Sequence, residues 1–170
     1  GAHIVNDVGG LRNDDMISVV AEMKIPVIMM HMQGTPTTMQ DNPTYNDVVH
    51  EVVTHLQRRV HAAYQAGVTD VVADVGFGFG KTVAHNYALL DALDQFHELK
   101  CPLLAGVSRK SMIQKVLGVD SQHALNGTTA LHAWALDRGA HILRVHDVAE
   151  ANEAVALHQA LVESRTPDAP

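Results

Sequence analysis

Short apolar runs alternate with long amphipathic ones along this chain, and that alternation constrains its fold more than any other feature. Strands apolar on consecutive residues need cover on both faces, which parallel sheets obtain from crossover helices. Five strands are predicted: Ala2 to Val8, Pro26 to His31, Thr69 to Val75, Pro102 to Val107 and Ala140 to His146. Between them, Val49, Val52, Val53, Leu56 and Val60 keep the i, i+3, i+4, i+7 spacing of a helix stripe. Leu89, Leu90, Leu93 and Phe96 do the same in the next unit. Asn13 with Asp14 and Asp15 marks a helix start, and Gly67 and Gly139 stand where helices end in the left-handed region.

Composition narrows the class. With 46% hydrophobic and 18% charged residues in 170, the chain suits one compact domain, neither disordered nor fibrous. Twelve Lys plus Arg stand against 19 Asp plus Glu, a formal charge of −7, with no basic cluster, which argues against nucleic-acid binding. Cys101 is the only cysteine, so no intrachain disulfide forms and a reducing compartment, the cytoplasm, is expected. No apolar run approaches the roughly 18 residues of a membrane-spanning helix, and the first residues do not read as a basic, then apolar, signal. The strand-like start Gly1-Ala2-His3-Ile4-Val5 leads us to expect that the natural protein extends upstream.

An open doubly wound sheet would carry a Gly-rich turn after its first strand, where this chain has Asn6-Asp7-Val8-Gly9-Gly10. A closed α/β barrel of the (β/α)8 TIM type is favoured by polar residues at every strand end: Asn6 and Asp7, His31, Asp74, Ser108 to Ser111, and Arg144 with His146 and Asp147. The barrel part is expected over residues 1–165, with 166–170 a C-terminal tail.

Each motif has a chemical and a plain reading. Gly76-Phe77-Gly78-Phe79-Gly80-Lys81-Thr82 fails the phosphate-loop spacing, because Val75 stands where the first Gly should be; it reads as a flexible strand-to-helix loop whose Phe residues shape a ligand pocket. Asp74 ends a buried strand, where an ionised carboxylate needs a partner. That partner is either a ligand with two adjacent N–H donors or a structural cation such as Lys110. Ser108-Arg109-Lys110-Ser111 opens a short helix at Met112 to Leu117 and offers an anion site, unless Ser108 merely caps it. Arg144 and His146 share one side of the last strand and suit a phosphate. Asp147 with Glu150 reads as a capping box. The 12 His show no metal-protease spacing; His50, His55, His61 and His158 are expected to be solvated or satisfied, and Met29, Met30 and Met32 to form soft core or pocket wall.

Five segments in order, Ile4-Val5-Asn6-Asp7-Val8, Met30-His31-Met32-Gln33-Gly34-Thr35-Pro36, Gly78-Phe79-Gly80-Lys81-Thr82, Gly106-Val107-Ser108-Arg109-Lys110-Ser111 and Arg144-Val145-His146-Asp147, resemble the dihydropteroate synthase family. The resemblance implies a transferase of folate biosynthesis, a sulfonamide target, that joins 6-hydroxymethyl-7,8-dihydropterin pyrophosphate to p-aminobenzoate and releases pyrophosphate. It implies that Asn6, Asp74 and Lys110 hold the pterin in a pocket lined by Met30, Phe79 and Gly106. Ser111, with Phe79 and Arg109, would receive p-aminobenzoate, and Arg144 with His146 the pyrophosphate. Lys110, Arg144 and His146 would act in catalysis, where the C–O bond breaks first and leaves a pterin cation. Homodimers are expected, with small-molecule substrates and no nucleic-acid or membrane partner.

The resemblance also defines what differs. Val75 replaces the family's usual Pro, so a looser loop is expected. The family begins with three further β/α units that carry the residue for its Mg²⁺ cofactor, so no metal ligand is assigned in this chain. Only the last five units are expected, too few to close a barrel of about 250 residues, and this segment alone is expected to be inactive. Two other readings are a pterin-binding domain of a methyltransferase and a non-catalytic pterin-binding remnant. The Ser108 to Ser111 segment and the Arg144/His146 pair weigh against the former, since a methyl carrier brings no pyrophosphate.

Overall fold

Strand and helix alternate as the apolar pattern requires. In a computed structural model, which describes residues 1–165, the order is β1 (Val5–Asp7), α1 (Asp14–Met23), β2 (Val27–Met30), α2 (Val48–Gln65), β3 (Val71–Asp74), α3 (Val83–Asp91), β4 (Leu103–Ala105), α4 (Ser111–Leu117), α5 (Leu125–Asp137), β5 (Ile142–Leu143) and α6 (Val148–Arg165). The expected tail at 166–170 lies outside the described residues. All five strands are parallel and pair in chain order, β1-β2-β3-β4-β5, in one open sheet.

Each strand is shorter than its apolar run. Val75 and Val107 are fully buried yet lie beyond the ladder, in the loops that leave β3 and β4. Burial, not strand pairing, accounts for those residues being apolar. Helix signals fare better. Asn13 caps α1 by accepting from the Asp15 amide at 2.9 Å, and Asp47 caps α2 by accepting from His50 at 3.0 Å. Gly67 and Gly139 follow α2 and α5 at φ of 92° and 87°, closing each helix through bonds from Val68 to Ala63 and from Ala140 to Ala135. The stripe from Leu89 to Phe96 does not lie on one helix: α3 stops at Asp91 and a 3₁₀ helix, Leu93–Leu99, continues it. Its four apolar residues are nevertheless all buried.

Register decides which residues share a face. Asn6 stands beside Ile28, Met30 beside Asp74, Asp74 beside Leu104, and Leu104 beside Ile142. Side chains alternate along each strand, so Asn6, Met30, Asp74, Gly106 and Arg144 fall on one face, the last two by extension past the strand ends. The other face, with Val27, Met29, Val71, Ala73, Leu103 and Ala105, packs under the helices as the hydrophobic core. Cover on both faces was expected, but the described helices cover only one. On the inner face Ile4 and Ile142 are 54% and 39% exposed, because five strands do not curl far enough to cover them.

An apolar inner face between two unpaired parallel edges favours association. A polypeptide of residues 1–170 expressed alone is expected to run above its monomer mass of 18.4 kDa in light scattering. A monodisperse monomer with one sharp unfolding transition would contradict this.

Candidate active site

Asp74 is the centre of the polar rim. It ends the middle strand β3 with 1% exposure. Its Oδ1 accepts from the Gly76 amide at 2.8 Å, while Oδ2 has no hydrogen bond among the described residues. The nearest cation is Arg144, whose Nη2 lies 3.3 Å from Oδ2 without hydrogen-bond geometry. Burial pushes the carboxyl above its usual range, opposed by the Gly76 amide and by the charges of Arg144, Lys110 and Lys81. A buried carboxylate with one idle oxygen is suited to a ligand that presents N–H donors.

Lys110 donates to the Phe77 carbonyl and stands 4.8 Å from the centre of the Phe79 ring. Burial lowers its ammonium to about 8, against the pull of Asp74. The structure thus gathers Asp74, Lys110, Phe79, Gly106 and Arg144: a Cβ on Gly106 would come within 2.8 Å of Arg144 Nη2, so a larger residue there would make that guanidinium shift. Met30 lies beside Asp74 in the sheet and is buried, while Asn6 is exposed on β1. Asp7 faces away from this group; its carboxylate accepts from the amides of Gly9 and Leu11 and shapes the turn after β1.

The glycine-rich segment is not the loose loop that Val75 led us to expect. Every carbonyl from Gly76 to Gly80 accepts from a side chain: Gly76 and Phe79 from Lys81, Phe77 from Lys110, Gly78 from Gln40, and Gly80 from the Tyr45 hydroxyl. Asn86 adds a bond from the Gly78 amide at 2.7 Å. The glycines permit this close packing. Gly76 has φ of 72°, and a Cβ there would overlap the His31 carbonyl oxygen. Both Phe residues were expected to shape a pocket, but Phe77 is wholly buried in the core and only Phe79 faces the rim.

Lys81 is the site-adjacent residue that sequence reasoning passed over. It is 4% exposed, and besides the two loop carbonyls it meets the His31 carbonyl at 3.3 Å and His31 Nδ1 at 3.0 Å. When Lys81 is an ammonium it only donates, and His31 then accepts at Nδ1 and carries its proton on Nε2. Burial lowers Lys81 to about 7. A Lys inside an otherwise apolar, glycine-punctuated stretch was the available signal.

The anion group is arranged differently from expectation. Ser108 does not cap α4; its hydroxyl bonds His146 Nδ1 at 2.9 Å and accepts from the His146 amide. Asp147 is no mere helix cap either. Its two oxygens take Arg109 Nε and Nη2 at 2.8 and 2.7 Å, and Arg109 also donates to the carbonyls of Ser121 and Gln122. Arg109 therefore braces the loops after β4 and β5, and its guanidinium is turned from Asp74. Ser111 is exposed at the first turn of α4, and His146 is exposed beside Ser108. His55 is not satisfied as expected: its ring meets His31 edge-on at 4.9 Å, and its buried Nε2 has no hydrogen-bond partner among the described residues.

A parallel sheet wound with helices, its polar residues converging beyond the carboxyl ends of the strands, defines the catalytic face of a β/α-barrel protein. The chain belongs to the pterin-binding enzyme family, whose model matches residues 1–146. It is 44% identical over 167 residues to the dihydropteroate synthase of Escherichia coli strain K12, covering 97% of this chain and 59% of that protein. The Yersinia pestis dihydropteroate synthase in a sulfonamide drug complex superposes with a TM-score of 0.92 at 39% identity, over 96% of this chain and 60% of that one. The Thermus thermophilus enzyme in complex with 6HMPPP gives 0.91 at 43% identity, over 95% and 65%. The chain spans about three fifths of the length of the curated relatives it matches, and corresponds to their C-terminal part. Its five strands are thus the last five of their barrel, as the resemblance implied.

His31 gives this region a measurable pH signature. Burial, then the charges of Lys81, His55 and Arg12, lower its pKa from 6.5 to about 2. Between those values the unfolded chain takes up a proton that the folded protein refuses, so stability falls as pH falls through that window. In a protein that includes the N-terminal units of the longer relatives, His31→Gln is expected to flatten this fall by up to about 1.4 kcal/mol per pH unit. Urea unfolding between about pH 6.5 and about pH 5 reads the slope; an unchanged slope would mean that His31 ionises inside the fold.

Proposed function

We propose that this chain forms the pterin-holding, C-terminal part of a dihydropteroate synthase, which condenses 6-hydroxymethyl-7,8-dihydropterin pyrophosphate with p-aminobenzoate to 7,8-dihydropteroate and pyrophosphate. The observation that carries the reading is Asp74: a carboxylate 1% exposed, one oxygen idle, with Arg144 and Lys110 beside it. Complexes of the Thermus thermophilus relative with 6HMPPP and with 4-aminobenzoate support the choice of substrates.

In this reading Asp74 accepts two N–H groups from the guanidine-like edge of the pterin, with Asn6 and Lys110 at other points of the ring and Met30, Phe79 and Gly106 as walls. The pterin edge displaces Arg144 from Asp74 toward the departing pyrophosphate, where His146, held by Ser108, adds a second donor. The methylene C–O bond breaks with its electron pair leaving on the pyrophosphate oxygen. The amine nitrogen then bonds to the methylene carbon and gives up a proton. Ser111 and the free amides of its helix turn receive the p-aminobenzoate carboxylate, and Arg109 keeps that turn in place through Asp147.

Among the described residues no group of three or more His, Cys, Asp or Glu is placed to hold a metal, and in this reading the residue for Mg²⁺ comes from the N-terminal units of the longer relatives. The exposed apolar residues Trp134, Leu157 and Leu161 on α5 and α6 suit the proposed homodimer. The buried free thiol of Cys101 suits a cytoplasmic setting, and no helix among the described residues is long and apolar enough to cross a membrane.

Pyrophosphate release with both substrates and Mg²⁺ tests the assignment. Release is expected from a protein carrying the N-terminal units and not from residues 1–170 alone. Asp74→Asn should weaken pterin binding by at least about 100-fold, since it removes a charge-assisted bidentate contact. Pterin affinity unchanged in calorimetry would remove Asp74 from the site.

A further inference from the structure

Lys81 lies behind the pocket wall; it reaches Asp74 through its charge and the rim through the Phe79 carbonyl. A charge buried there is costly unless its surroundings use it. Two features of the backbone do. Gly76 is packed so closely on His31 that their carbonyl oxygens both face the Lys81 ammonium, at 2.9 and 3.3 Å. The Phe79 carbonyl, two residues back along the chain, joins them at 3.0 Å. Without the ammonium, the carbonyls of His31 and Phe79 and His31 Nδ1 would lose their donor together, and the Gly76 carbonyl would keep only the Phe79 amide.

What Lys81 holds is unequal across the site. Asp74 is fixed by the β3 ladder to β2 and β4, and by the Gly76 amide. Phe79 has no ladder. It is anchored by its amide to the Gly76 carbonyl at 3.0 Å and by its own carbonyl to Lys81, and both carbonyls share that one ammonium. Phe77 between them carries the carbonyl that seats Lys110.

From this we infer that Lys81 is a positioning residue for the acceptor substrate: it sets the Phe79 ring against the arylamine, and leaves the hold of Asp74 on the pterin largely alone. The inference rests on the dihydropteroate synthase reading. Mispositioning by about an ångström costs orders of magnitude in such sites, so the effect is large enough to measure.

The test uses Lys81→Met, which keeps length and loses all donors, and Lys81→Gln, which keeps a shorter donor, in the full-length enzyme. The KM for p-aminobenzoate is expected to rise about tenfold or more, less in Lys81→Gln, while the Kd for the pterin pyrophosphate stays within about threefold. A fluorine-labelled Phe at position 79 should lose its single sharp resonance in the variants. Unchanged KM, equal losses for both substrates, or two variants that fail to fold would each overturn the inference, the last two marking Lys81 as a general structural element. A wild-type enzyme that binds neither substrate would overturn instead the reading it rests on; the fluorine signal still reports whether Lys81 fixes Phe79.

Discussion

The buried charge of Asp74 is the constraint to which the surrounding rim answers. Removing a carboxylate from water costs several kcal/mol unless hydrogen bonds and opposite charge offset it. Here one amide and three cations do so, and each cation comes from a different loop: Lys81 after β3, Lys110 after β4 and Arg144 after β5. The dependence runs both ways, because Asp74 opposes the loss of charge on both lysines. One acid among three bases leaves positive charge to spare, which is the balance a site needs if its ligand carries a pyrophosphate at one end and N–H donors at the other.

Rigidity in this rim comes from hydrogen bonding to carbonyls, not from restricted backbone. Glycines at 76, 78 and 80 all adopt positive φ, and by composition the segment ought to be mobile. Side chains from the β2–α2 loop, from Lys81 itself and from the start of α4 occupy every carbonyl along it. Glycine is used here for close approach, and the order is supplied by neighbours distant in sequence. Gln40 and Tyr45 thereby tie the long β2–α2 connection to the same segment.

Much of the fold was legible, for identifiable reasons. Apolar runs located all five strands because burial under the helices is their defining property, and the caps at Asn13, Gly67 and Gly139 were local chemistry. Strand ends were overextended because Val75 and Val107 are buried without being paired. The site was half legible. Strand ends put Asp74 and Arg144 together, and the family resemblance added Gly106, but the partners of Arg109, Ser108 and Lys81 lie 38, 38 and 50 positions away. No local pattern encodes such pairs, so Asp147 looked like a cap and Lys81 like part of a failed phosphate loop.

Pairing of each strand only with its neighbours in the chain has a consequence for how the molecule is made. Among the described residues no sheet hydrogen bond waits for a segment more than one crossover away, so pairing can advance unit by unit in the direction of synthesis. Asp74 is in place on β3 before Lys110 and Arg144 have been added to the growing chain. If pairing follows that order, the carboxylate keeps its water while the sheet is open beside it and loses it as β4 and β5 dock with their cations. On that order, charge burial and charge pairing are completed by the same docking events.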